Sequence, residues 1–472
     1  MKDLSYKAVM SRKNEIMKKA VGIDYEVFEY GNIAFDYEGM MEKAAYSIPE
    51  MQRIQRETKV GNTPLFELKN INNLIRKYSG AGKGARIFIK DEAANASGSF
   101  KARRAAVSVY HAQQLGYKGV IAATSGNYGA AVASQAAQRG LKCIIVQEVY
   151  DSNKVGQPEI IEKARKCEAF GAEVVQLTVG PELFYVFLRL LEETGFFNAS
   201  LYTPFGISGV ETLGVEIANQ MMEMEGKYPD VVVATHAGGG NLTGTARGLI
   251  KAGADKCKIV GASVDLSGLH MASDKDFNKK SFTTGHTGFG IPFATWPDRA
   301  DVPRNAARVL RYMDQYVTVT QGDVFFVTEV LAQLEGIERG PAGNTSLAAA
   351  IALAKELDEG QIIVVQETEY TGAGKHPMPQ LTFARNNGIE IRRGDPIENI
   401  PGKTIVIPKT INQVCAVNID LSKLKKSYIM NAIVRNEVTG LTPDDVTFLS
   451  NEVKLSSEDV TKLIIEQGFK LI

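Results

Sequence analysis

An excess of charge of either sign is the first thing this chain lacks. Its 54 lysines and arginines are matched by 54 aspartates and glutamates, for a formal net charge of zero. Nucleic acid and anionic membrane therefore exert no global attraction on it, and neither is expected as a partner. Long apolar runs are missing as well: none approaches the roughly 20 residues that cross a bilayer. The start, Met1-Lys2-Asp3-Leu4, runs into charge and shows no apolar core of a secretory signal. Cysteine is scarce. Cys143, Cys167, Cys257 and Cys415 are scattered with no C-x-x-C pair, which fits a reduced cytoplasm and disfavours a metal cluster. The five histidines show no His-x-x-x-His or carboxylate pairing of metal-ligand spacing, so no metal is expected. Repeats and low-complexity tracts are absent. What remains is ordinary globular composition, 44% apolar and 23% charged, over 472 residues. That length predicts two domains with appendages.

The pattern along the chain divides it in three. Residues 1–60 are polar and mixed, with helical candidates over 12–20 and 38–46, and read as an N-terminal extension that would cover another subunit. Residues 61–385 alternate short apolar strands (65–68, 86–92, 119–123, 141–146, 173–177, 230–235, 258–264, 361–366) with helices (130–139, 159–170, 182–193, 243–252, 304–314, 322–334, 345–357). Such alternation predicts parallel sheets covered on both faces, in two interleaved α/β domains with the smaller over roughly 95–200. Residues 265–300 read as a long loop, a lid or subunit contact. Residues 386–472, punctuated by Pro396, Pro401 and Pro408, form a C-terminal appendage with helices over 421–436 and 456–467.

Three stretches carry chemistry. Ala96-Ser97-Gly98-Ser99-Phe100-Lys101 is a small, turn-prone run that ends in a lysine and enters a helical segment at Ala105, Ala106 and Val107. Most lysines are solvated surface charges. One held by a turn at the mouth of an apolar helix is partly desolvated, so its neutral amine is accessible, as a Schiff-base lysine requires. Thr124-Ser125-Gly126-Asn127-Tyr128-Gly129 lies between a strand and a helix start. As plain structure it is an N-cap, yet it also stands where open α/β sheets bind ligands. The Asn127 amide suits a ring hydroxyl, and the backbone around Ser125, Gly126 and Tyr128 suits a substrate carboxylate. Ala237-Gly238-Gly239-Gly240-Asn241 repeats the strand-to-helix setting, with glycine N–H groups free to converge on an anion. The spacing does not give G-x-G-x-x-G with a following acidic residue, so a compact phosphate monoester suits it better than a dinucleotide. Gly402-Lys403-Thr404 is no P-loop, since Ile397 stands where the first glycine belongs. Beyond the last core strand, Thr371 offers a hydroxyl to a pyridine nitrogen, and Glu369 competes for that place. Arg103 and Arg104 read as a surface pair or as contacts for an anionic ligand group. Together these stretches predict Lys101 in a Schiff base with pyridoxal 5'-phosphate, its ring oxygen at Asn127 and its phosphate at Gly238, Gly239, Gly240 and Asn241.

With Asn62-Thr63-Pro64-Leu65 and residues 209–216, these motifs in this order resemble the fold-type II pyridoxal-phosphate enzymes, the tryptophan synthase β and threonine synthase group, over about residues 61–375. The resemblance implies an α/β fold of two domains with parallel-type twisted sheets flanked by helices, between N- and C-terminal extensions. It implies Lys101 as the catalytic lysine and Thr371 at the ring nitrogen. Many threonine synthases and dehydratases carry an acidic residue directly after the lysine; this chain has Lys101-Ala102-Arg103-Arg104. That motif and both extensions are most similar to the β subunits of 2-amino-4-oxopentanoate thiolases. The similarity implies cleavage of that amino acid by coenzyme A to acetyl-CoA and alanine in ornithine degradation, a small α subunit as partner, and an oligomer. Arg103 or Arg104 would then meet coenzyme A phosphates. No cysteine has a nucleophile's setting, which favours direct attack by the coenzyme's thiol. Two alternatives stay open: a threonine synthase-like or ammonia-lyase enzyme, and a non-catalytic, cofactor-binding regulatory protein.

Overall fold

The computed structural model describes residues 3–124, 126–151, 153–266, 280–283, 291–370 and 377–472. Among these, the alternating apolar runs form two open sheets. The larger has the strand order Val417–Asn418, Gln315–Val319, Lys258–Val264, Val231–Thr235, Ile362–Glu367, Arg86–Asp91, Leu65–Glu67. Its five inner strands run parallel, with Ile363 opposite both Val231 and Ile87, and each edge strand is antiparallel to its neighbour. The smaller sheet is parallel throughout, in the order Glu173–Thr178, Lys142–Tyr150, Gly119–Thr124, Phe197–Asn198. Ile362–Glu367 and Gly119–Thr124 are buried at every position, as strands with helices on both faces must be. The chain starts the larger sheet, leaves to build the smaller one, and returns. Four loops that follow strand carboxyl ends, after Asp91, Thr124, Thr235 and Glu367, carry the residues singled out above.

One helix docks the others. Pro204–Glu225 packs almost backbone to backbone against Gly240–Lys251: a Cβ at Gly214 would overlap the Thr245 carbonyl, and one at Gly248 the Glu211 carbonyl. It also meets Lys101–Gln114, where a Cβ at Gly209 would lie 2.5 Å from the Arg103 carbonyl oxygen. Gly209, Gly214 and Gly248 thus set the distance between helices that bear the site.

One expectation fails. Residues 304–314 are not helical: a single 3-10 turn, Val309–Arg311, precedes the unanticipated strand Gln315–Val319. Tertiary bonds pull this segment in several directions. Arg304 pairs with Glu29, Arg308 with Asp298 and Glu452, and Arg311 with Glu38 and Glu452, while the Asn305 N–H donates to Asp298. The N-terminal segment, expected as an extension, packs on its own chain. Arg12 pairs with Glu192, Tyr37 donates to the Ala306 carbonyl (2.7 Å), and Gln55 Nε2 donates to the carbonyls of Gly209 (2.7 Å) and Arg103 (3.2 Å). At the other end, Leu421–Arg435, Pro443–Val453 and Ser457–Glu466 form helices, the middle one unanticipated. The expected long loop over 265–300 lies largely outside the described residues; within it, Ile291–Thr295 is a short helix. Among the described residues, no helix is long and apolar enough to cross a membrane.

Candidate active site

Lys101 is the first residue of its helix, and the turn before it is tied to the segment that follows the Ile362–Glu367 strand. Gly98 takes φ 75°, a left-handed conformation that glycine adopts without strain. Its carbonyl accepts from the Tyr370 N–H (2.8 Å), and the Phe100 N–H donates to the Thr368 carbonyl (3.0 Å). This stitching brings the lysine amine to the carboxylate of Glu369, with Nζ 3.1 Å from Oε2. Asn127 Nδ2 donates to the same oxygen. Lys101 and Asn127, far apart in sequence, therefore converge on Glu369.

A second lysine stands behind that carboxylate. Lys163, on the Pro158–Ala169 helix, lies 3.8 Å from Glu369 Oε1 and 2.6 Å from Glu159 Oε1. All three side chains are almost fully buried. Burial lowers the pKa of Lys101, with Lys163 adding to the effect and Glu369 opposing it. The amine is thereby eased toward its neutral form, as an imine-forming lysine needs. Burial would raise the Glu369 carboxyl, but Lys101, Lys163 and the Asn127 amide outweigh it and hold the group well below the ordinary carboxylate range. For Lys163, burial lowers the pKa, and Glu159 and Glu369 more than restore it, so it stays a cation. Sequence reading missed Lys163 and Glu159. The available signal was a charged i, i+4 pair one residue out of step with the buried Ile160 and Ala164, on a face continued by Cys167.

Asn127 opens the Asn127–Arg139 helix directly after the Gly119–Thr124 strand. Gly126 leaves room for Lys163, whose Cδ would lie 2.8 Å from a Cβ there. The Tyr128 ring is buried and its hydroxyl donates to the Ala199 carbonyl (2.6 Å), so only its main chain is left for a substrate. Ser125 and Thr371 lie outside the described residues.

The glycine loop follows Val231–Thr235 and opens the Gly240–Lys251 helix. Its cap, Gly239, has φ 83° and no side chain to satisfy the first-turn N–H groups, which are left to a ligand. Neither neighbour tolerates a side chain: a Cβ at Gly238 would overlap the Tyr202 hydroxyl, and one at Gly240 would lie 2.6 Å from an Arg104 nitrogen. Asn241 is buried, yet among the described residues neither of its amide atoms nor the Thr243 hydroxyl has a hydrogen-bond partner. Buried polar atoms without partners are costly. An uncapped helix start with unpaired amide and hydroxyl groups fits a phosphate monoester, so these residues suit pyridoxal phosphate.

The two arginines after Lys101 are not a surface pair; both are buried. Arg103 is also no contact for a coenzyme phosphate. Its Nε and NH2 bond Glu92 (2.7 and 2.8 Å), and its NH1 and NH2 bond Glu216 (2.9 and 2.7 Å). Burial lowers its pKa, but the two carboxylates prevail and raise it, so it is a fixed internal ion pair.

The chain matches the family described as pyridoxal-phosphate dependent enzyme over residues 56–369. It is 68% identical over 470 residues, covering 100% of both chains, to a 2-amino-4-ketopentanoate thiolase beta subunit from an unknown prokaryotic organism. To the protein of the same description from Acetoanaerobium sticklandii it is 68% identical over 465 residues, 98% of this chain and 99% of the relative. A crystal structure of a T.th. threonine deaminase superposes with a TM-score of 0.52 at 26% identity, covering 69% of this chain and 98% of the other. With a core-spanning family match and two full-length relatives, this chain belongs to the pyridoxal-phosphate dependent enzymes of fold type II.

Proposed function

We propose that this chain is the catalytic β subunit of an enzyme that cleaves 2-amino-4-oxopentanoate with coenzyme A, giving acetyl-CoA and alanine. The observation that carries the reading is 68% identity over the full length, terminal segments included, to relatives described as 2-amino-4-ketopentanoate thiolase beta subunits. The Lys101-Ala102-Arg103-Arg104 sequence, without the acidic residue after the lysine, supports it over a threonine synthase or ammonia-lyase. A small α subunit, coenzyme A and the amino-acid substrate are the partners this reading requires.

The residues suit the chemistry. Pyridoxal phosphate, bound through Lys101, supplies an electron sink adjoining the substrate's Cα. With the amino acid bound in its place at that group, the Lys101 amine would take the proton from Cα, poised for this by its burial. Glu369, kept ionised, holds the protonated amine close and returns it to the same place. Asn127 would orient the ring oxygen and Gly238, Gly239, Gly240 and Asn241 would hold the phosphate; Thr371, outside the described residues, is the group proposed for the ring nitrogen. The coenzyme's thiol loses its proton and its sulfur bonds C4; the C3–C4 bond breaks, the electron pair left on C3 takes up the proton the thiol lost, and the protonated Lys101 amine gives its proton back to Cα. C4 and C5 leave as the acetyl thioester, and C1 to C3 as alanine.

The test is to supply the chain and its α subunit with 2-amino-4-oxopentanoate and coenzyme A, and to measure acetyl-CoA and alanine. Both should form in equal amounts and vanish in Lys101→Ala. Absence of acetyl-CoA beside turnover of O-phosphohomoserine or threonine would transfer the chain to the alternative enzyme class. Binding of the cofactor with no turnover of any amino acid would favour a regulatory protein.

A further inference from the structure

Arg104 is buried to 2% exposure and, among the described residues, forms no ion pair. Its neighbours are the face of the Phe100 ring, 5.0 Å from its central carbon, the Leu201 carbonyl, 3.5 Å from NH1, and the hydroxyls of Tyr128 and Tyr202. Among those residues its Nε has no hydrogen-bond partner. Burial alone drives its pKa down to about 10, with the two tyrosines opposing weakly. Arg103, one residue earlier, shows the contrast, since two carboxylates enclose it. A buried guanidinium with five donors and no anion is unstable by itself and implies an anion that arrives later.

The anion's place follows from the helix. Lys101 and Arg104 are three residues apart and so share a face. The Arg104 tip lies against the glycine loop, its NH2 and Cζ 2.6 and 3.0 Å from where a Cβ of Gly240 would be. The first-turn N–H groups of Gly240–Lys251 and the unpaired amide of Asn241 belong to that same loop. We propose that Arg104 is the counter-charge of the phosphate site, pairing its guanidinium with the phosphate monoester of pyridoxal phosphate over Gly240. The loop then binds the dianion with a full positive charge as well as with backbone N–H groups. Glycine at 240 is required because the arginine tip fills the space a side chain would take. The inference rests on the cofactor assignment and is independent of which amino acid the enzyme cleaves.

The full chain, freed of cofactor, is titrated with pyridoxal 5'-phosphate and separately with pyridoxal, following the absorbance of the Lys101 adduct. In Arg104→Gln the Kd for pyridoxal phosphate should rise about ten- to a hundredfold, the range of a lost charge-assisted hydrogen bond, and in Arg104→Lys by less. The Kd for pyridoxal, which has no phosphate, should stay within about threefold. Thermal melting supplies a second reading. Inorganic phosphate should raise the Tm of the cofactor-free wild type and leave that of Arg104→Gln unmoved. Equal losses for pyridoxal phosphate and pyridoxal would make Arg104 a packing residue and overturn the proposal. So would an unchanged Kd for pyridoxal phosphate with a raised KM for the amino acid, which would assign the guanidinium to a substrate carboxylate. Should Arg104→Gln not fold, Arg104→Lys and the phosphate melt of the wild type decide, and no protection by phosphate overturns it. Loss of acetyl-CoA formation with these binding results intact would bear on the reaction and not on Arg104.

Discussion

Glu369 is the residue on which the site turns, because one buried carboxylate answers two lysines and an amide. Sequence reading weighed it only as a rival to Thr371 for the ring nitrogen; the structure sets it against Lys101 and Asn127. The reason is legible only in three dimensions. A strand end, a turn and a helix from the other sheet must meet before the charge balance of Lys101, Lys163, Glu159 and Glu369 exists at all. Lys101, Asn127 and the glycines were readable because each sits in a short motif at a strand-to-helix turn. Glu369→Gln leaves the Lys163 cation with Glu159 alone in a dry site. Removing one partner of a buried pair costs about 3–5 kcal/mol, so urea unfolding of the cofactor-free chain should show a loss of that size. Adding Lys163→Met together with Glu159→Gln removes the remaining buried ion pair, charge of both signs, and should restore more than about 1 kcal/mol of the loss.

At the scale of elements, the helices that carry Lys101 and the glycine loop both rest on Pro204–Glu225. Gly209 is where it meets the Lys101 helix, and the atom a Cβ would meet is the Arg103 carbonyl oxygen, which cannot swing aside. Gly209→Ala should therefore destabilise the chain by about 2–3 kcal/mol, at the upper range for overpacking, as read by chemical unfolding. It should also weaken cofactor binding, because the helix that moves is the one bearing Lys101. The same helix carries a pH response at its other end. His111 stacks on Phe205, with ring centroids 3.9 Å apart, and hydrogen-bonds the Tyr46 hydroxyl (2.8 Å). Burial pulls its pKa down to about 4, against about 6.5 when unfolded. Between those values the unfolded chain binds more protons than the folded one. The stability is thus whole above pH 6.5 and lost as pH falls through the window, by about 1–2 kcal/mol after allowing for partial exposure. His111→Phe should flatten the dependence of Tm on pH across that range. Most elements were legible: the parallel strands as short apolar runs, and 130–139 as a helix ended by Gly140. The helices Ile48–Arg56 and Pro443–Val453 went unread although each starts with a capping box, Ser47 with Glu50 and Thr442 with Asp445. Segment 304–314 was misread because its alanines and leucine mimic helical spacing while long-range ion pairs decide its path.

At the scale of the molecule, the two terminal segments clasp each other beneath the core, which composition alone could not reveal. Asp445 Oδ1 accepts from the N–H groups of Asn32, Ile33 and Ala34 (2.9, 2.8 and 3.0 Å), and its Oδ2 caps its own helix through Thr442. Glu452 on that helix pairs with Arg308 and Arg311 of the core. The N-terminal segment in turn reaches the site's scaffold, since Gln55 bonds the carbonyls of Arg103 and Gly209. The clasp thus supports the lysine helix without touching the cofactor site. Asp445→Ala strands three N–H groups at a place where two of the donor residues are buried. A cost of about 2–4 kcal/mol is expected from unsatisfied buried donors, measured by chemical unfolding. Because the clasp acts only through the stability of the fold, the Kd for pyridoxal phosphate of the chain that remains folded should stay within about threefold of wild type. A larger change at a temperature well below the melting point would show that the terminal segments also set the position of the Lys101 helix.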